Sequence, residues 1–242
     1  MRKILAHRFA ASLRRFVAGA ALIFALAAPA AAAGDGPLVS PAWLSAHLHD
    51  ANLIVLDIRS AIDGSKPETF AQGHIPGAVH SDYDKAGWRV TRNNVPFMVP
   101  TTPELEKLIG DLGIDETSHV VVVPAGVNVL DFGSAARTYW TLKYAGVGNV
   151  SILDGGLAAW KAAGYALDKG PHAPSPAIFT ASIDNSILAL ASDVETIEKS
   201  GGATLIDARP ASFFLGKEKA PAAQAYGHIP GAVDVDSARF YD

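Results

Sequence analysis

Gly73-His74-Ile75-Pro76-Gly77-Ala78-Val79 returns without a single change as Gly227-His228-Ile229-Pro230-Gly231-Ala232-Val233. Just upstream of each copy lies an apolar run that ends in Asp-x-Arg. The first is Ile54-Val55-Leu56-Asp57-Ile58-Arg59, and its counterpart is Thr204-Leu205-Ile206-Asp207-Ala208-Arg209. Seven identical residues at a nearly constant separation do not arise by chance in an ordinary chain. One structural unit is used twice.

Working outward from the first copy, strand and helix signals alternate. Ser40-Pro41 places a hydroxyl at a helix N-cap and proline in the first turn. Leu53 to Asp57 reads as a buried strand. Thr102-Pro103 opens a helix with Leu105, Leu108, Ile109 and Leu112 on one face, closed by Gly113. Val120 to Val123 is the continuous apolar run of a central strand covered on both sides. Ala136, Tyr139, Trp140 and Tyr144 recur at helical spacing, Val150 to Leu153 forms another strand, and Leu157 to Ala163 a short helix. This alternation predicts an α/β domain with a parallel sheet and helices on both faces. Residues 34–165 are expected to form that domain. Residues 166–184, with Pro171, Pro174 and Pro176, read as a linker. Residues 185–242 match only the first half of the unit, so the fold is expected to be one complete domain plus the first half of a repeat.

The 242 residues include no Cys, which excludes disulfides, Cys-based metal centres and any thiol nucleophile within them. Residues 1–33 hold five bases and no acid, and residues 34–242 hold 15 bases against 24 acids. An acidic body without basic runs is a poor partner for nucleic acid or an anionic membrane surface. Within 1–33, basic residues precede an uncharged run from Phe16 to Ala28 and small residues at Ala31 and Ala33. At ~1.5 Å per residue this run falls short of a ~30 Å bilayer core. It reads as a secretory signal, giving a periplasmic or secreted protein without stable membrane association.

The paired Asp-x-Arg and Gly-His-Ile-Pro-Gly-Ala elements, with Ser151-Ile152-Leu153-Asp154-Gly155-Gly156-Leu157 and Trp160, resemble the rhodanese (thiosulfate sulfurtransferase) family in its tandem-domain form. The resemblance implies transfer of sulfane sulfur from a small anionic donor such as thiosulfate. It passes through a Cys persulfide to cyanide or a thiol acceptor, with no cofactor and no metal. It places the nucleophile on the loop after the valine strand, expected here over Pro124 to Gly133. Ala125 stands at the nucleophile-equivalent position, so the catalytic residue is absent from this chain. The resemblance also implies that the first copy is the non-catalytic one, and that many relatives hold the donor anion with an Arg where Phe213 stands. Two functions follow: a sulfurtransferase whose catalytic Cys this chain lacks, or a non-catalytic module binding an anion or a partner in the periplasm.

The remaining polar candidates have structural readings. Asp57, Arg59 and His74, with Asp207, Arg209 and His228, are expected to maintain the fold, each His bonding across to the strand-end Asp. Asp131 reads as a solvated loop residue or helix cap, and Ser134 as an ordinary N-cap, since no Gly-x-Ser-x-Gly elbow surrounds it.

Overall fold

The computed structural model describes residues 36–241. The expected signal segment lies outside the described residues. In chain order the elements are β1 (Leu38–Val39), α1 (Pro41–His47), β2 (Leu53–Asp57), α2 (Thr69–Gln72), β3 (Val79–His80), β4 (Val90–Arg92), β5 (Val95–Met98), α3 (Thr102–Asp111), β6 (His119–Val123), α4 (Val129–Ala145), β7 (Asn149–Leu153), α5 (Gly156–Ala162), α6 (Ala191–Ser200), β8 (Ile206–Asp207), α7 (Ala211–Phe214) and β9 (Val233–Asp234). The first unit is an α/β domain around a five-stranded sheet in the order β1-β7-β6-β2-β3, with every pairing parallel.

The valine run explains why the sheet is covered on both sides. Successive strand side chains point to opposite faces. Val120 and Val122 join Leu105, Ile109, Ala135 and Leu142 in one core, beneath α3 and α4. Val121 and Val123 join Trp43, Leu44, Leu157 and Trp160 in the other, beneath α1 and α5. A half-polar strand here would bury unpaired polar groups on one side.

Three features depart from the sequence expectation. The stretch after His80 carries an antiparallel hairpin, β4–β5, turning at Asn93 and Asn94 with φ of 52° and 61°. Asparagine tolerates that left-handed region better than most residues, which makes the pair a hairpin turn. A two-residue strand, β1, adds an edge through Leu38–Ile152 and Val39–Leu153. Finally, the expected linker is a strap laid along the first unit. Asp168 pairs with His74, the Ala177 N–H donates to Gly110 O at 2.9 Å, and the Ser182 N–H donates to Ala145 O at 2.9 Å. Phe179 is buried in the core. The strap approaches so closely that a Cβ at Gly110 would sit 2.7 Å from Ala177 O, and one at Gly146 would sit 2.6 Å from Ser182 O. Prolines excluded helix and sheet here, but they did not exclude docking.

The repeated element recurs in space. β8 pairs with β9 in parallel as β2 pairs with β3, with Asp207 opposite Asp234 as Asp57 is opposite His80. In the first unit β2 is also flanked by β6; β8 is paired with β9 alone among the described residues.

Candidate functional site

The loop that follows β6 lies at the carboxyl end of the central strand, the customary place for a site in a parallel sheet. It is short, because α4 begins at Val129 and not near Gly133. Asn128 is the N-cap, and its side chain accepts from the N–H groups of Leu130 and Asp131 at 2.9 and 3.0 Å. Ser134 is therefore no cap. It lies inside the helix, 2% exposed, with its hydroxyl donating to Asp131 O at 2.6 Å.

Residues 124–127 are clamped from two directions. Their carbonyls serve the start of α5: the Leu157 N–H donates to Pro124 O at 2.9 Å, and the Ala158 N–H to Ala125 O at 3.0 Å. The contact requires glycine on both sides. Gly126 has φ of 78°, and a Cβ there would fall 2.1 Å from Gly155 O; a Cβ on Gly156 would fall 2.6 Å from Pro124 O. The Asp154-Gly155-Gly156 turn is thus the surface against which the loop is shaped.

The loop N–H groups point the other way and meet at one side chain. Ala125 N donates to Asp131 Oδ1 at 3.1 Å, while Gly126 N and Val127 N donate to Oδ2 at 2.6 and 3.1 Å. Asp131 is 1% exposed, so the expected solvated residue is a buried one. Burial pushes its carboxyl above the ordinary Asp range, with the three N–H groups pulling the other way and Asp63 adding a small rise. A signal for part of this existed in the sequence: Asn128 followed by an acid three residues on is the spacing of a capped helix start. Ala125 is 9% exposed and offers only a methyl group.

A cavity of about 520 Å³ opens beside the loop, bordered by Pro124, Gly126, Asp131, Tyr139, Asp154 and Tyr241 among others. No Arg or Lys lines it. Among the described residues no three His, Asp or Glu gather where they could hold a metal ion, and no helix is long and apolar enough to cross a membrane.

The duplicated motif begins at the end of β2, where Asp57 pairs with Val123 and the Ile58 N–H donates to Val123 O at 3.1 Å, and it is built around the arginine. Arg59 Nε donates to both Asp57 oxygens at 3.0 and 2.9 Å, its Nη2 donates to Oδ2 at 2.7 Å, and the same Nη2 reaches Gly73 O at 2.9 Å. With both carboxylate oxygens taken, the expected His74–Asp57 bond does not form. His74 instead hydrogen-bonds Phe70 O at 3.0 Å through Nδ1 and stacks on the Phe70 ring. The second copy repeats this: Arg209 holds Asp207 and Gly227 O, and His228 Nδ1 lies 2.7 Å from Phe214 O.

Comparison with known proteins agrees with this geometry. Residues 40–163 match the rhodanese-like domain family. The chain is 32% identical over 198 residues to the 3-mercaptopyruvate sulfurtransferase of Escherichia coli (strain K12), covering 80% of this chain and 68% of that protein. It is 30% identical over 213 residues to the thiosulfate sulfurtransferase of Rattus norvegicus, covering 84% and 70%. The crystal structure of the 3-mercaptopyruvate sulfotransferase SseA from Escherichia coli superposes with a TM-score of 0.67 at 29% identity, over 83% of this chain and 74% of that one. The anaerobic ergothioneine biosynthesis enzyme from Chlorobium limicola shares the fold, with a TM-score of 0.65 at 22% identity over 83% and 50%. A parallel sheet ending in a loop of converging N–H groups, its turn glycines and a family match over those same residues lead to one conclusion: the chain belongs to the rhodanese family of sulfurtransferases.

Proposed function

We propose that residues 34–165 are the non-catalytic copy of a tandem sulfurtransferase exported to the periplasm or beyond, and that residues 185–242 are the opening half of the second copy. Residues 166–184 connect them. In this reading the 242 residues by themselves transfer no sulfur. The observation that carries it is Ala125 at the end of β6, in a sequence with no Cys. Rhodanese chemistry runs through a persulfide, which needs a thiolate. The thioethers of Met1 and Met98 cannot ionise to supply one.

The donor would be a small sulfur-bearing anion, thiosulfate or 3-mercaptopyruvate by likeness to the named relatives. Phe213 cannot pair with such an anion as the Arg of many relatives does. The alternative, a non-catalytic module that binds an anion in the first loop, has less support, because Asp131 already holds the loop's N–H groups.

Purified residues 34–242 should release no thiocyanate from thiosulfate and cyanide above the uncatalysed rate, and no sulfide from 3-mercaptopyruvate and a thiol. Ordinary turnover would overturn the reading. The tandem assignment is tested separately by the reading frame downstream of Asp242. A second valine-rich strand followed by Cys supports it, and a frame without one removes the enzyme reading.

A further inference from the structure

The absence of a thiol at position 125 is not the only feature of the first loop that opposes persulfide chemistry. Three consecutive N–H groups, those of Ala125, Gly126 and Val127, converge within 2.6–3.1 Å on the Asp131 carboxylate. A thiolate at position 125 needs those same donors, since converging backbone N–H groups lower a thiol's pKa and hold the negative charge of the persulfide that follows. We propose that Asp131 is a built-in occupant of this cradle, a specificity-determining residue that keeps the first copy inert even when a thiol is placed in it.

The surroundings reinforce the effect. Asp131 is almost fully buried, so its charge is poorly screened by water. Asp63 lies close enough to act on it, and Asp154 borders the adjoining cavity, which no Arg or Lys lines. A thiolate at 125 would therefore stand beside the Asp131 carboxylate and find its donors spent. The chain cannot readily re-aim those donors, because the Pro124 and Ala125 carbonyls are fixed to α5 and Gly126 lies against Gly155 O.

The proposal rests on the rhodanese reading of the loop, and its test does not depend on native activity. In the active reaction the thiolate attacks the sulfane sulfur of thiosulfate. An S–S bond forms to the cysteine, the S–SO₃ bond breaks, and sulfite leaves with the electron pair. The test compares A125C with A125C/D131A and A125C/D131N in otherwise intact protein, each checked for folding by circular dichroism. The introduced thiol is unique, so its titration is read directly from the pH dependence of alkylation by iodoacetamide. In A125C it should titrate at or above the free value of ~8.5 and take up no sulfur from thiosulfate by mass spectrometry. Removing the carboxylate should raise the thiolate fraction at neutral pH by roughly tenfold, one pKa unit, and permit persulfide formation. D131N retains the shape of the side chain while discarding its charge, so a folding failure of D131A leaves the comparison intact. A depressed pKa and sulfur uptake in A125C alone would overturn the proposal. So would identical titration in all three variants. Turnover by the unmodified chain would instead refute the functional reading and leave the titration result standing.

Discussion

The two copies of the Asp-x-Arg and Gly-His-Ile-Pro-Gly element have nearly the same internal bonds and very different surroundings. In the first, Arg59 and Asp57 side chains are 5% and 1% exposed; in the second, Arg209 and Asp207 are 41% and 10% exposed. His74 is buried, while His228 is exposed, yet each stacks on a phenylalanine and bonds that residue's carbonyl. Local sequence is therefore enough to write the motif. What it does for stability depends on whether β6 and the helices beyond it stand beside it. In the first copy Ile75 and Val79 are 1% and 5% exposed, whereas Ile229 and Val233 are 48% and 46% exposed.

The sharpest way to break this comparison is to remove the same arginine from each copy. Arg59→Met leaves the buried Asp57 carboxylate and Gly73 O without their main donor. Breaking a buried ion pair on one side costs about 3–5 kcal/mol. Arg209→Met removes a pair that water reaches, and the expected cost is under about 1 kcal/mol. Chemical denaturation followed by tryptophan fluorescence reads the first copy, which holds Trp43, Trp88, Trp140 and Trp160, and amide exchange around β8 and β9 reads the second. Equal losses would show that the motif stabilises by its own bonds, independent of the sheet around it.

Much of the first copy was legible because its signals are continuous. The valine run fills four of the five residues of β6 and suits the middle of a sheet covered on both faces. The Asp-x-Arg and Gly-His elements name their own turns. The rest depended on partners remote in sequence. β1 is two residues long and exists because Ile152 and Leu153 offer an edge. The strap over residues 168–184 contains prolines and lacks periodicity, and its docking is decided by Gly110, Gly113 and Gly146, whose missing side chains make room for it. The role of Asp131 was the least legible. Sequence can place an acid near a helix start, but it does not say that Gly126, pressed on Gly155, turns three N–H groups toward that acid. The His74–Asp57 pairing failed for a related reason. Both residues belong to the motif, and Arg59 has the better geometry for both carboxylate oxygens.

A smaller effect separates conformational strain from packing. Gly77 and Gly231 occupy equivalent turns with φ of 74° and 78°, and a Cβ at either would meet open space. Valine at both positions carries the same intrinsic penalty, about 1–3 kcal/mol for a side chain forced into the left-handed region. In the first copy that strain is tied to the cooperative core, so Gly77→Val should lower the melting temperature by about 3–8 °C. Gly231→Val should leave the main transition in place and raise only local amide exchange around β8 and β9. Equal shifts of the main transition would mean that the second copy melts as part of the first.

The smallest effect is a difference of sign with pH. The hydrogen bond from Arg209 holds Asp207 below the ordinary carboxylate range, so its contribution is present above the unfolded value of ~3.9 and is lost as pH falls through the folded one. Burial moves Asp131 the other way. Its folded form binds a proton more tightly than the unfolded chain does, so its contribution is full below ~3.9 and is lost as pH rises through the raised value. Melting temperatures of the wild type, Asp131→Asn and Asp207→Asn should therefore diverge in opposite senses between neutral pH and about pH 3. Relative to Asp131→Asn the wild type should gain on acidification, most of it above pH ~4. Relative to Asp207→Asn it should lose, and only below pH ~4, by a small amount because Arg209 is well solvated. Matching slopes for the two variants would mean that the loop N–H groups outweigh burial at Asp131. The carboxylate would then be held in the cradle as firmly at neutral pH as Arg209 holds Asp207.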